Sequence, residues 1–411
     1  MHTTGLGTST AAEAKEYFSN LETHEIDFEW DAKADDMIDM AFAKKRVDDR
    51  KLWLLGMEPG VYVDYDVDRI SYDTFINREL ILFSHADNER SIPHFMDGFK
   101  PSQRKVMFGC FKRNLKQEIK VAQLAGYISE HSAYHHGEVS LTMTIIGMAQ
   151  NFVGSNNINL LSPCGQFGTR LMGGKDAASP RYVFTKLEAI TRRIFHPDDD
   201  ALLEYLDDDG QSIEPSYYVP IIPMVLVNGS EGIGTGWSTS IPTYNPREII
   251  NNLRLMIAGE QPVEMHPWFR GFKGEIQAKT GKDCNNYTVS GTFEQVDEQT
   301  IVIDELPVGR WTTDFKQMLE GMMVGTAAPA PKEKEGDGSA PAVALPAIVK
   351  DFKENHTDTS VLFTVTVLAD KLSEALNEKG GIQKKFKLDS SVSTTNMTMF
   401  DVHTQIRKFE K

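Results

Sequence analysis

Apolar positions along the chain are spaced for helices in its first part and for strands later. Residues 11–21 (AAEAKEYFSNL) predict a helix with Ser9 or Thr10 as N-cap. A longer helix is predicted from about Ala34 to Leu55. Met37, Met40, Ala41, Ala43 and Val47 lie near one apolar face, and Lys44, Lys45, Arg50 and Lys51 put positive charge in the C-terminal half, where the helix dipole favours it. Glu58 to Ser71 reads as irregular. Further helices are predicted over 102–114, 119–130 and 138–152, with turn signals at Phe99-Lys100-Pro101 and His135-His136-Gly137. Residues 216–228 (SYYVPIIPMVLVN) are apolar and β-branched and predict a strand, followed by a glycine-rich loop from Gly229 to Gly236. Asn245-Pro246 opens a helix to about Ala258, with the N-cap followed by proline at its first position. From 269 to 306 polar and apolar residues alternate, which predicts antiparallel strands. Residues 325–346 are rich in Ala, Pro and charge and read as a disordered insertion in a surface loop. Strand and helix signals resume to the end, and no internal repeat is visible.

The 411 residues allow two or three domains, and 40% hydrophobic with 25% charged residues is an ordinary soluble composition. The first residues lack the basic and apolar regions of a signal peptide, and no apolar run is long enough for a membrane span. Cys110, Cys164 and Cys284 form no CxxC pair. That favours a reducing compartment over a disulfide framework or a thiolate zinc site. A net charge of −16 argues against a nucleic-acid partner, but its distribution argues for one. Residues 91–195 hold thirteen Lys and Arg against six Asp and Glu, a basic segment in an acidic chain. A solvated basic face accounts for the charge equally well; helices clustered in that segment suit a helix-turn-helix type of DNA reader.

Four constellations could carry chemistry. In Ser179-Pro180-Arg181-Tyr182, a phenol of pKa about 10 needs a neighbouring cation or base to attack phosphorus. Arg181 supplies a guanidinium suited to charge on a phosphodiester's non-bridging oxygens. The plainer reading is surface charge beside a half-buried aromatic. His131, His135 and His136, with Tyr134 and Glu138, could transfer protons, donate to phosphate, hold a metal or simply cap a helix. Arg90 to Pro93 and Asp97 to Lys105 place four cations around a turn entering a helix, an arrangement that binds phosphate. Gly229 to Trp237 lacks the βαβ context of a dinucleotide site. Its isolated Ile233 is either an apolar wedge for a duplex or a buried turn residue. Asp64-Tyr65-Asp66-Val67-Asp68 imitates a metal motif but reads as a loop.

Together and in order, these residues resemble the eukaryotic topoisomerase II family. The matches are GLGTS (5–9), DDRK (48–51), RSIP (90–93), DGFKP (97–101), QRKV (103–106), KVAQLAG (120–126), YHHGE (134–138), AQNFVGSNN (149–157), GGKDAASPRY (173–182), EGIGTGWST (231–239) and MHPWFRG (265–271). The resemblance implies an α+β fold: the tail of a metal-binding (TOPRIM) domain and linker over 1–85, a winged-helix (CAP-like) DNA-binding domain over 86–244, and a mixed α/β tower domain over 245–411. It implies double-stranded DNA as partner, a homodimer, no membrane and residence in the nucleus. Tyr182 is then the nucleophile, Arg181 stabilises the transition state, and Arg90 and His136 contact the scissile phosphate. Arg50, Lys51, Lys100, Arg104, Tyr134, His135, Ser140 and Lys175 are the expected DNA contacts, and Ile233 the residue that intercalates. The family's acidic magnesium motifs lie before GLGTS, where this chain has just begun, and Thr4 replaces the lysine usual there. The ATPase domain and C-terminal gate are missing too. Mg2+ and ATP are therefore expected to be bound by domains absent from this chain. Two rival readings follow: a DNA-binding and dimerisation module without cleavage of its own, and a metal-dependent nuclease using His131, His135 and His136.

Overall fold

The computed structural model describes residues 9–323 and 348–409, so the 325–346 insertion lies outside the described residues. The chain divides into two compact units. One holds residues 1–91 with 233–238, the other 92–232 with 239–411.

In the first unit Thr10, not Ser9, caps the helix Ala11–Ser19: its hydroxyl accepts from the Glu13 amide while the Glu13 carboxylate takes the Thr10 amide. Asp27–Glu29 pairs in parallel with Arg69–Ser71, at the end of the irregular stretch. The expected helix from Ala34 to Leu55 is broken into Ala34–Phe42, a 3-10 turn Lys44–Arg46, and Val47–Leu55. Ala43 is extended at the break, with ψ 131°. Arg50 explains how the break is tolerated. Its guanidinium is buried and donates to the carbonyls of Met40 (2.8 Å) and Ala41 (2.7 Å), which the ended helix leaves without helical partners, and to that of Ala43 (3.3 Å), which also accepts from the Arg46 amide (3.1 Å). A helical run unforeseen in the sequence follows: Tyr72–Phe75 capped by Ser71, a π segment Ile76–Leu80, and Ile81–Ser91. The tip residues 233–238 join this unit through Asn88 Nδ2, which donates to the Thr235 carbonyl (3.0 Å), and through Lys51, whose ammonium lies 5.1 Å from the Trp237 ring.

In the second unit the three helices foreseen in the basic segment are Pro101–Lys112, Val121–His131 and Glu138–Ala149. They close around Val106, Met107, Leu124, Ile128, Leu141 and Ile145, all buried. Two ion pairs tie neighbouring chain to them. Fully buried Asp97 accepts from Arg104 Nε (2.7 Å) and Nη2 (3.1 Å) and from the amides of Phe99 and Tyr218, both at 3.0 Å. Lys105 Nζ meets Glu214 at 2.8 Å, on the hairpin Tyr205–Asp208 and Gln211–Pro215.

The strand expected over 216–228 does not form; its end, Met224–Asn228, is a short helix burying Met224, Val225 and Val227. Pro220 and Pro223 lack the N–H a ladder needs, and Pro223 sits at the N-cap. The glycine-rich stretch is a hairpin, Ser230–Ile233 paired with Ser238–Ile241. The helix Pro246–Ile257 starts at Asn245 as foreseen, and the strands over 269–306 are antiparallel. They enter two sheets. Glu275–Ala278, Asn286–Ser290 and Asp389–Ser393 form one, with Asn286–Ser290 central. Thr292–Gln295, Thr300–Glu305, Phe363–Val367 and Val349–Glu354, in that order, form the other. A second core, with Ile301, Ile303, Phe363 and Val365, packs this sheet against Phe315 and Leu319 of the helix Thr312–Gly321.

Arg50→Met should lower the free energy of unfolding by about 2 kcal/mol, because buried carbonyls at a helix end lose a charged donor. Urea denaturation followed by circular dichroism measures this; an unshifted transition would show that the capping is dispensable.

Candidate functional site

Tyr182 sits on a tight turn in the second unit. Its amide donates to the Ser179 carbonyl at 2.9 Å, closing the turn. The first two amides of the helix Val121–His131 hold the turn from outside: Val121 N–H donates to Val183 O (3.0 Å) and Ala122 N–H to Pro180 O (3.1 Å). Helix-start amides lack partners within their own helix, so these bonds satisfy both elements. Just beyond, Phe184–Thr185 pairs antiparallel with Ile119–Lys120, and Cys164 and Phe184 exchange backbone hydrogen bonds of 3.1 and 3.0 Å. Val183 turns inward and is buried. Gly165, at φ 117°, comes close enough that a Cβ would lie 3.1 Å from Val183 Cγ1. With Val183 directed inward, Arg181 and Tyr182 are exposed, and Tyr182 keeps 73% of its surface in solvent. An aromatic held so far out contributes little packing, which removes the plain structural explanation for it.

The loop leading to this turn is braced internally. Asp176 accepts from the Thr169 amide (2.9 Å) and hydroxyl (2.6 Å), and Gln150 Nε2 donates to the Phe167 carbonyl (2.9 Å). Neither Asp176 nor Gln150 stands out in the sequence, because each acts on a residue distant along the chain.

The histidines go to separate partners. His131 stacks on Tyr127 (4.0 Å between centroids), with Nδ1 2.9 Å from the Tyr127 carbonyl. His135 is exposed, its Nε2 3.3 Å from Asp208 Oδ2. His136 is exposed and meets the Tyr134 ring edge-on at 5.4 Å. Among the described residues no three His, Cys, Asp or Glu side chains converge into a metal-holding group. The nuclease reading therefore lacks the ligand set it needs. Asp64, in the motif read as a loop, accepts the Asp66 amide at 3.0 Å.

Three of the expected DNA contacts are placed otherwise than the resemblance implied. Arg50 is buried as a helix cap, Arg104 is buried on Asp97, and the Tyr134 ring belongs to the helical core. Their guanidinium groups or ring are engaged within the protein. Lys100 is half-buried with Nζ on the Glu231 carbonyl, and burial pushes its pKa below the ordinary lysine value. Ser140 and Lys175 are exposed. Arg90, Lys51 and Ile233 belong to the first unit. Arg90 is exposed and pairs with Asp87 at 2.9 Å; Lys51 pairs with Asp48 at 3.0 Å; Ile233 is 84% exposed, so it is not a buried turn residue.

Residues 90–411 match the family of the DNA gyrase/topoisomerase IV A subunit. The chain belongs to that family. Residues 2–88 match a second description, the C-terminal associated domain of TOPRIM. Among relatives of this topoisomerase family, DNA topoisomerase 2 of Arabidopsis thaliana is 51% identical over 98% of the chain, and DNA topoisomerase 2-alpha of Homo sapiens is 50% identical over 99%. The chain spans 26% of the length of each. A solved structure described as the Plasmodium falciparum topoisomerase II DNA-binding, cleavage and re-ligation domain superposes with a TM-score of 0.79 at 50% identity, covering 98% of this chain and 52% of that one. The mixed α+β fold is thus that of a topoisomerase II cleavage domain.

Since the Tyr182 hydroxyl makes no contribution to packing, Tyr182→Phe should leave stability within about 0.5 kcal/mol of the parent. Thermal denaturation measures this; a larger loss would mean that the hydroxyl carries part of the fold.

Proposed function

We propose that this chain is the DNA-cleaving portion of a type II topoisomerase and that Tyr182 is its nucleophile. The observation that carries the reading is a phenol held in solvent on a turn locked to a helix N-terminus, with Arg181 beside it. In the reaction the Tyr182 oxygen attacks a backbone phosphorus and loses its proton. The bond from phosphorus to the 3′ oxygen breaks, and that oxygen leaves with the electron pair and takes up a proton. The products are a 5′-phosphotyrosine and a 3′-hydroxyl. One phosphodiester replaces another, so rejoining is the same step reversed and draws on no further energy source. Arg181 neutralises charge gathering on the non-bridging oxygens. His136, in the same unit, is assigned to the scissile phosphate, and Arg90, in the first unit, is assigned a phosphate contact of its own.

Lys100, His135, Ser140 and Lys175 in the second unit, and Lys51 in the first, are the residues assigned phosphate contacts that set the position of the duplex. Arg50, Arg104 and Tyr134 act on it only indirectly, by holding the elements that carry it. Ile233 is the wedge. An exposed isoleucine on a hairpin tip can part a base step and bend DNA.

In this reading residues 1–85 are the end of a metal-binding domain with its linker, 86–244 a winged-helix domain and 245–411 a tower domain. The whole protein is a nuclear homodimer that cuts the two strands with a stagger and passes a second duplex through at the expense of ATP. Mg2+ supports cleavage in that whole protein. The described residues offer no convergent carboxylate group to hold it, and no step above is routed through it.

Incubation of the whole protein with supercoiled DNA and Mg2+, stopped with denaturant, tests the assignment. A covalent protein–DNA complex is expected, and Tyr182→Phe should abolish it. DNA binding without any covalent complex would instead support the DNA-binding and dimerisation module, and protein-free hydrolysed ends a nuclease. Ile233→Ala should reduce the bend of a bound duplex, read by energy transfer between its labelled ends. An unchanged bend would remove the wedge.

A further inference from the structure

The loop from Cys164 to Phe184 is anchored at both ends. At its base, Cys164 and Phe184 are bridged backbone to backbone, two residues from Tyr182. At its far side it meets the second core. There Arg170 and Glu305, both almost fully buried, form an ion pair: Arg170 Nη2 donates to Glu305 Oε1, and Nη1 to Oε2 at 3.5 Å. Glu305 ends the strand Thr300–Glu305 and also accepts from the amides of Leu306 (2.9 Å) and Lys273 (3.2 Å). Immediately beside it, the loop carbonyls of Arg170 and Leu171 accept from the Thr312 (3.3 Å) and Thr313 (3.0 Å) amides, which open the helix Thr312–Gly321. The Trp311 ring lies flush on Gly173: a Cβ there would sit 2.2 Å from the indole.

A buried ion pair is weak evidence for stability, because well-packed apolar residues of similar volume can do as well. What it supplies is a single geometry, since a carboxylate with this many donors admits few placements of its partner. We propose that Glu305, through Arg170, is a positioning residue for Tyr182: it fixes the far end of the nucleophile's loop to the sheet of the second core. The proposal rests on Tyr182 being the nucleophile. In-line attack tolerates little displacement, and a shift of about 1 Å can cost a hundredfold in rate.

The test uses the whole protein and three variants: Glu305→Gln, Tyr182→Phe, and the apolar pair Arg170→Met with Glu305→Leu. At saturating DNA, Glu305→Gln should slow covalent-complex formation by about ten- to a hundredfold. Its DNA affinity should stay within about twofold, and amide exchange over 165–183 should accelerate. The apolar pair should recover the parent melting temperature without recovering the rate. A purely structural role would make rate follow melting temperature through all variants, and that result overturns the proposal. So does parental rate in Glu305→Gln where Tyr182→Phe is inactive. If the parent protein forms no Tyr182 adduct, the underlying reading fails instead. The exchange measurement then still judges the brace, and unchanged exchange in Glu305→Gln overturns it.

Discussion

Two backbone hydrogen bonds, from Val121 and Ala122 to the carbonyls of Val183 and Pro180, are what the rest of the site depends on. They use donors that a helix start must satisfy in any case, so the Tyr182 turn is attached through groups that no side-chain substitution except proline deletes. The same attachment explains why Val183 faces the core and Tyr182 does not. A turn fixed in this register places its hydrophobic residue inward, and the two residues before it are left in solvent.

Around that turn, buried charge sets relative placement. Asp97 joins the start of one helix to the chain at Tyr218, Lys105 joins that helix to the hairpin carrying Glu214, and Glu305 joins the loop of Tyr182 to the second core. Each pair links segments more than a hundred residues apart, or in the case of Asp97 engages one such segment by its backbone. Apolar contacts could hold these segments together equally firmly, but they would specify orientation less sharply. The hydrophobic clusters give the unit its cohesion, and the ionic contacts give it its angles.

The three helices of the basic segment are legible in the sequence because period and turn residues agree there. The alternating strands over 269–306 are legible for the same reason, though not their division between two sheets, which depends on the distant strands Phe363–Val367 and Asp389–Ser393. The break at Ala43 is not legible. The apolar period runs straight through it, and what makes it tolerable is Arg50 reaching back to carbonyls that only the folded chain presents. Met224–Asn228 reads as strand in the sequence because its β-branched residues outweigh the two prolines, which in the folded chain exclude a ladder. At the site, the Arg181-Tyr182 pair is common chemistry, and the resemblance to topoisomerases, not the residues alone, singles it out. Burial separates the assigned cations. Arg50 and Arg104 carry the same charge in the sequence as Lys175, and only the fold shows that their guanidinium groups are already engaged.

The wet position of Tyr182 has a bearing on the protein at rest. A phenol is a weak nucleophile toward the phosphate esters dissolved in a cell. Exposure at this position therefore does not by itself make the residue reactive. On the reading proposed above, reactivity arises when a large polyanion is laid along the surface, and small metabolites cannot imitate that. On that reading, the safety of an open phenol lies in the size of the molecule required to awaken it.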